Sequence, residues 1–164
     1  GQSNHNFANV QLARYITTVA NSGSCYNLSL LDKVTDSTGN VIEDYTPGLY
    51  NQVELSNSTW NAIHQGMRAV AMRTDSLKNI PVAIAGKTGT AQENKLRPNH
   101  ALFVGYAPYD NPEIAFAVKI ANGYTSANAA EVGGDIVTYY YKLPGYEQLL
   151  NGVASSPNSA TIVD

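Results

Sequence analysis

The sequence predicts an α+β domain in which an antiparallel sheet is packed with helices. Three observations carry that expectation. Apolar residues recur at helical spacing in three separate stretches. Three strand-like runs follow one another with links too short for a helical crossover. The 43% of hydrophobic residues among 164 supply a core of domain size, which excludes a chain disordered over most of its length.

Taken in order, "ANVQLARYITTVANSG" reads as the first helix. Val10, Leu12, Ala13, Ile16, Val19 and Ala20 give it one apolar face. Asn9 is the expected N-cap, and "NSG" supplies the stop, with Gly23 near C′. "LSLLDKV" and "VIEDY" flank the turn-rich "TDSTGN" and read as a two-stranded hairpin, followed by "TPGLYN" as loop. "LSNSTWNAIHQGMRAVAMR" is the strongest helix, with Trp60, Ile63, Met67, Val70 and Ala71 on one stripe and Ser56 or Ser58 as cap. Gly66 inside it costs about 1 kcal/mol relative to alanine, so a close approach of another backbone is expected there.

The sheet is expected as a three-strand meander over 82–92, 101–108 and 113–123, linked by "ENKLRPN" and by a turn at "DN". "SANAAEVGGDIVTYYYKL" closes the domain as a helix weakened by Gly133 and Gly134, with the tyrosine run Tyr139 to Tyr141 covering the sheet. The domain thus covers 1–143, and 144–164 reads as a loose tail. Three strands cover only part of the apolar surface that three helices offer. Either the core is modest or a partner surface lies elsewhere.

Composition narrows the function. A net charge of −3 and a pI near 5.5 argue against a nucleic-acid partner. No run of 18 apolar residues reads as a membrane span. The opening "GQSNHNF" carries neither Met nor a basic leader, and reads as the interior of something longer. One cysteine, Cys25, gives no disulfide framework and no zinc spacing, and is expected as a small loop or core thiol. Eleven tyrosines against three phenylalanines suit a half-exposed, groove-bearing protein.

The stretch most informative about chemistry is "VAIAGKTGTAQ". Lys87 lies between Gly86 and Gly89, and glycine inside a strand signals a close backbone approach. Strand alternation puts Lys87 and Gly89 on one face, Thr88 and Thr90 on the other. A local twist or bulge would be needed to bring all three polar side chains to one cleft. An ammonium with two hydroxyls is a clamp for a carboxylate, and an edge strand can pair with an extended peptide. The alternative is an edge lysine placed against aggregation.

At these residues the chain resembles the penicillin-binding serine D,D-transpeptidases, whose signature joins Ser-x-x-Lys, Ser-x-Asn and Lys-Thr-Gly. "AGKTGTAQ" is similar to a full form of the third motif, and "HALFVGYAPYDNPEIAFAVKI" to the two strands that follow it there. "ANVQLARYITTVANSG" and "NAIHQGMRAV" resemble the preceding helices. The resemblance spans most of the chain and points to the C-terminal part of a class B, monofunctional enzyme, with "GQSNHNFANVQLA" nearer the elongation type.

The resemblance implies roles. Lys87 would set the electrostatic field around the nucleophile, and Thr88 and Thr90, about Gly89, would hold the carboxylate of a D-Ala-D-Ala stem peptide or a β-lactam. The backbone N–H of Thr90 would be an oxyanion-hole donor, a group commonly worth about 3 kcal/mol of barrier. Lys87 and Thr90 are therefore the expected catalytic residues. No cofactor or metal is implied.

The activated nucleophile is missing from these residues. No serine has a lysine three positions on: Asp32 follows Ser29, Asn79 follows Ser76, and Ala129 follows Ser126. Ser-x-Asn is read at "SPN", Ser156 to Asn158, after the third motif and in the wrong order. The expectation is a fragment that needs the upstream part of its transpeptidase domain, does not form an acyl-enzyme alone, and associates with itself or a partner chain. Its parent would act at the extracytoplasmic face of a bacterial membrane, anchored by a segment outside this sequence.

Rivals are a non-catalytic β-lactam or muropeptide sensor of the same fold, and a β-lactamase-like hydrolase. His5, His64 and His100 match no zinc pattern. His100 reads either as facing the cleft or as a satisfied strand-end histidine. Glu54, Asp75 and Asp135 show no spacing suited to glycoside hydrolysis.

Overall fold

The computed structural model describes residues 7–93 and 95–150. Helix α1 spans Asn9–Ala20, and four short strands follow: β1 Ser24–Tyr26, β2 Lys33–Thr35, β3 Val41–Asp44 and β4 Leu49–Gln52. Helix α2 covers Asn57–Arg73, the meander is β5 Ala85–Ala91, β6 His100–Ala107 and β7 Ile114–Ile120, and helix α3 covers Ser126–Tyr140. A 3-10 turn over Tyr146–Leu150 follows. Positions 151–164 of the expected tail, with "SPN", lie outside the described residues, as does His5. Among the described residues no helix is long and apolar enough to cross a membrane.

The meander is antiparallel in the order β5-β6-β7, so among the described residues β5 keeps one unpaired edge. Its register with β6 runs unbroken from Ala85↔Tyr106 to Ala91↔His100. Because side chains alternate, the sheet has two apolar faces, each with its own helix layer. On one face Ala85 and Tyr106 pack with Ile16, Val19 and Ala20 of α1 and Met67 of α2. On the other, Phe103, Phe116 and Val118 pack with Ala129, Ala130 and Val137 of α3. Every one of these side chains is buried, and the large ones contribute about 1.5–3 kcal/mol each.

Glycine determines how closely α3 approaches. A Cβ on Gly133 would stand 2.6 Å from Phe103 Cδ1, and one on Gly86 would stand 2.3 Å from Phe103 Cζ. The Phe103 ring therefore occupies a socket whose walls are bare backbone of β5 and α3. The two glycines that weaken α3 as an isolated helix are the ones that seat it.

Several local expectations are corrected. Ala8, not Asn9, caps α1, and Gln11 Oε1 accepts the Ala8 N–H at 2.8 Å. Asn9 instead donates from Nδ2 to the Ala117 carbonyl at 2.9 Å, tying the helix start to β7. "TPGLYN" is not all loop, since β4 within it pairs with β1. Gly66 receives no close backbone: it is exposed, and a Cβ there would meet nothing within 4 Å. Tyr139 and Tyr140 are exposed on the outer side of α3, whereas the Tyr141 hydroxyl reaches the sheet, 3.3 Å from the Ala107 carbonyl.

Other expectations hold. Ser56 caps α2, its hydroxyl accepting from Thr59 N at 3.2 Å. Gly23 lies one residue past C′: Ser22 takes the left-handed C′ place at φ +50 and donates to the Val19 carbonyl at 3.0 Å, and Gly23 donates to the Thr18 carbonyl at 2.8 Å to complete the helix stop. The hairpin of β2 and β3 forms as read. Its turn closes on Asp36, whose carboxylate is held well below the usual range by hydrogen bonds from the Thr38 and Asn40 side chains, then from backbone N–H groups.

Candidate active site

Strand β5 leaves the core as it enters the motif. Ile84, Ala85 and Gly86 are buried, and then Lys87 and Thr90 are exposed while Thr88 and Gly89 are half-buried. Arg68 of α2 fixes the point of emergence, donating from Nη1 to the Ile84 carbonyl at 2.9 Å. The two flanking glycines differ. Gly86 is filled from within by the Phe103 ring, whereas a Cβ on Gly89 would make an ordinary 3.5 Å contact with Leu102 Cβ. Gly89 is thus the position open to an approaching chain.

The unbroken register keeps Lys87 and Gly89 on the α1–α2 side and Thr88 and Thr90 on the α3 side. No bulge gathers the three polar side chains. They flank the strand, with its free edge between them. Lys87 Nζ folds back to donate to the Thr88 carbonyl at 2.7 Å. The Thr90 hydroxyl accepts from the Ser126 N–H at 3.3 Å. Thr88 lines an open cleft of about 410 Å³ between the end of α2, at Arg73 to Ser76, and the start of α3, at Thr125 to Asn128. An ammonium, a hydroxyl and a free strand edge in one row can bind an extended chain that ends in a carboxylate.

The start of α3 is the part of this region that sequence reading passed over. "TSAN" carries a second Ser-x-Asn spelling, Ser126 to Asn128, also after the third motif. Asn128 serves the loop there, donating from Nδ2 to the Gly123 carbonyl at 2.9 Å. A Thr-Ser pair before a helical pattern signals a cap, but nothing in the letters places it against Thr90.

The other candidates have structural partners. His100 Nδ1 accepts from Asn122 N at 3.0 Å, so the proton sits on Nε2 and is donated to Glu93 Oε2 at 2.7 Å. That hydrogen bond is the main cause that holds the Glu93 carboxyl below its usual range. His100 is the satisfied strand-end histidine. His64 Nε2 lies 2.9 Å from the Val19 carbonyl, with its ring edge-on to Tyr106. Asp75 pairs with Lys78 at 2.6 Å. Burial, then Glu131, raises the Asp135 carboxyl on α3. Cys25 is half-exposed, and its thiol is lowered by hydrogen bonding to Thr18 and then by Arg14, whose Nε stands 3.2 Å from Sγ. Among the described residues no three His, Cys, Asp or Glu side chains gather as a metal site.

Comparison with known proteins bears on the same geometry. The family model of the penicillin binding protein transpeptidase domain matches residues 1–138. Penicillin-binding protein 2B of Streptococcus pneumoniae is 30% identical over 154 residues, covering 84% of this chain and 23% of the relative. The peptidoglycan D,D-transpeptidase MrdA of Haemophilus influenzae is 31% identical over 163 residues, covering 85% and 25%. The chain therefore spans about a quarter of the length of these relatives. Among solved structures, an imipenem acyl-enzyme complex of penicillin-binding protein A from M. tuberculosis superposes with a TM-score of 0.76 at 25% identity, over 86% of this chain and 32% of that one. Penicillin-binding protein 2B from S. pneumoniae strain R6 gives 0.73 at 30% identity, over 84% and 25%.

Proposed function

This chain belongs to the penicillin-binding protein transpeptidase family, and from that premise we propose that it forms the Lys-Thr-Gly-Thr wall of a serine D,D-transpeptidase site that cross-links peptidoglycan. One observation carries the reading. The only tetrad of its kind in the chain, Lys87 to Thr90, sits where β5 leaves the core with an unpaired edge, in a fold shared with a β-lactam acyl-enzyme.

In this reading a serine from outside these residues attacks the carbonyl of the penultimate D-Ala. Its Oγ forms the ester, the D-Ala–D-Ala amide breaks, and D-Ala leaves with a proton on its amine. The amine of a neighbouring stem peptide then takes the acyl group. Lys87 supplies a positive field beside that serine, the Thr90 N–H stabilises the oxyanion, and the Thr88 and Thr90 hydroxyls hold the terminal carboxylate. A β-lactam enters by the same route and remains as the ester.

The site works at the extracytoplasmic face of a bacterial membrane, with peptidoglycan stem peptides as substrate and the Ser-x-x-Lys part of the domain as structural partner. Leu28, Leu30, Leu31, Val34, Val41 and Ile42 are all exposed, and that concentration of apolar side chains around one hairpin makes self-association of the isolated chain an expected property.

Intact-mass spectrometry after benzylpenicillin tests this, on the chain alone and joined to the part of its domain that bears Ser-x-x-Lys. The expected result is no adduct alone, and in the joined protein an adduct on the added serine that Lys87→Ala suppresses. An adduct on this chain by itself would place the nucleophile here and overturn the division of roles. A joined protein that binds the drug reversibly and is never acylated would make it a sensor of the same fold.

A further inference from the structure

We propose that the backbone N–H of Ser126, the first residue of α3, is a positioning group for Thr90 and turns its hydroxyl into a donor aimed at the substrate. The inference rests on the functional reading above and adds a residue to it from the far side of the sheet.

The chemistry follows from counting donors and acceptors. A threonine hydroxyl has one proton and two lone pairs, and alone it can present either to a ligand. Here one lone pair is taken by the Ser126 N–H at 3.3 Å. Thr90 is otherwise exposed, so its proton stays free to turn toward an anion while the Ser126 bond holds the oxygen in place. An anion in front of the strand then meets a donor. Behind the hydroxyl stands the N-terminus of a 15-residue helix, whose partial positive charge favours the same anion.

The neighbouring N–H groups are already committed, which makes the Ser126 bond specific. Ala127 N donates to the capping hydroxyl of Thr125 at 3.5 Å, and Asn128 N donates to the Thr125 carbonyl at 3.1 Å. The Asn128 side chain holds the Gly123 carbonyl at 2.9 Å and so fixes the loop that delivers Ser126. The bond joins two segments 36 residues apart.

The backbone at this point permits a clean test. Thr125 is extended, with φ −132 and ψ 147, the region adopted by a residue before proline. Ser126 is the first helical residue, where proline is favoured. Ser126→Pro therefore removes the N–H without disturbing the helix start, and Ser126→Ala controls for the hydroxyl that it also removes from the cleft.

The experiment measures the second-order rate of benzylpenicillin acylation in the joined protein that carries the nucleophilic serine. It compares the parent with Thr90→Val, Ser126→Pro and the double variant. Ser126→Pro is expected to slow acylation about fivefold, the size of one neutral hydrogen bond. The double variant should be no slower than Thr90→Val, and Thr90→Ser should recover part of the rate that Thr90→Val loses. That non-additivity shows that both substitutions act through the one bond, and urea denaturation separates a purely structural role, which would lower stability together with the rate.

Normal acylation in Ser126→Pro, beside a slowed Thr90→Val, overturns the positioning role and leaves the site reading standing. Normal acylation in Thr90→Val overturns the carboxylate role of the Thr90 hydroxyl and, with it, the positioning role of Ser126. A parent that is never acylated removes the functional reading itself. If Ser126→Pro fails to fold, amide exchange at Ser126 decides the point in the remaining proteins. Protection lost in Thr90→Val supports the bond, and protection unchanged overturns it.

Discussion

Gly86 and Gly89 stand on either side of the same lysine and answer to different demands. Gly86 is required by the protein's own packing, because a methyl group there would lie 2.3 Å from Phe103 Cζ and 2.8 Å from the Val104 carbonyl. Gly86→Ala is therefore expected to destabilise the fold by about 1–3 kcal/mol, the usual cost of overpacking. Gly89→Ala meets ordinary van der Waals contact at 3.5 Å and is expected to change stability by less than about 1 kcal/mol. Urea denaturation of the two variants measures both, and equal losses would remove the distinction. If Gly89→Ala also slows acylation in the joined protein, the cause is the approach of substrate to the strand and not a damaged sheet. At this scale the sequence made the motif legible and its surroundings illegible. Lys87 between two glycines reads directly, as does the alternation that separates it from Thr88 and Thr90. The letters cannot say which glycine admits a side chain of the same protein, nor that Ser126 lies against Thr90, because both depend on partners remote in the chain.

Glycine has the opposite sign of effect in the two longer helices. In α2, Gly66 is exposed, and a methyl group there would meet nothing within 4 Å, so only its poor helix propensity remains. Gly66→Ala is expected to stabilise by about 0.5–1 kcal/mol. In α3, the same propensity gain at Gly133 is outweighed by a contact of 2.6 Å with Phe103 and 3.0 Å with Phe116. Gly133→Ala should lower the denaturation midpoint while Gly66→Ala raises it, and a shift of the same sign in both would refute the account. Periodicity found these helices because each buries a stripe: Trp60, Met67 and Ala71 in α2, and Ala129, Ala130, Gly133, Gly134 and Val137 in α3. It missed β4 for the converse reason. Leu49 to Gln52 are exposed throughout, so no alternation marks them, and the strand exists by pairing with β1. Propensity misjudged Gly133 and Gly134, since a penalty local to the helix is offset by packing that only the fold supplies, against Phe103 and Phe116 for the first and against Leu77 and Ile80 for the second.

The molecule is organised around β6, which pairs with both neighbours and carries side chains into both cores: Phe103 toward α3, and Tyr106 toward α1 and α2. The hairpin of β2 and β3 is the reverse case, with every strand residue exposed and its pairing confined to itself. Free energies of opening should follow that difference, because local opening costs little where few apolar contacts are broken. In native-state hydrogen exchange, β6 amides from Leu102 to Tyr106 are expected to exchange only on global unfolding. Those of β2 and β3 should exchange earlier, by an opening insensitive to low urea. Stabilising the core with Gly66→Ala should then slow exchange in β6 and leave β2 and β3 unchanged. A common exchange free energy, moving together with that substitution, would mean that the hairpin belongs to the core's cooperative unit. The motif strand lies between these extremes: its buried start, Ala85 and Gly86, should follow β6. Lys87 to Thr90 rely on one paired edge and on the Ser126 bond. Strand β5 is therefore held firmly where it leaves the core and least firmly along Lys87 to Thr90, beside its unpaired edge.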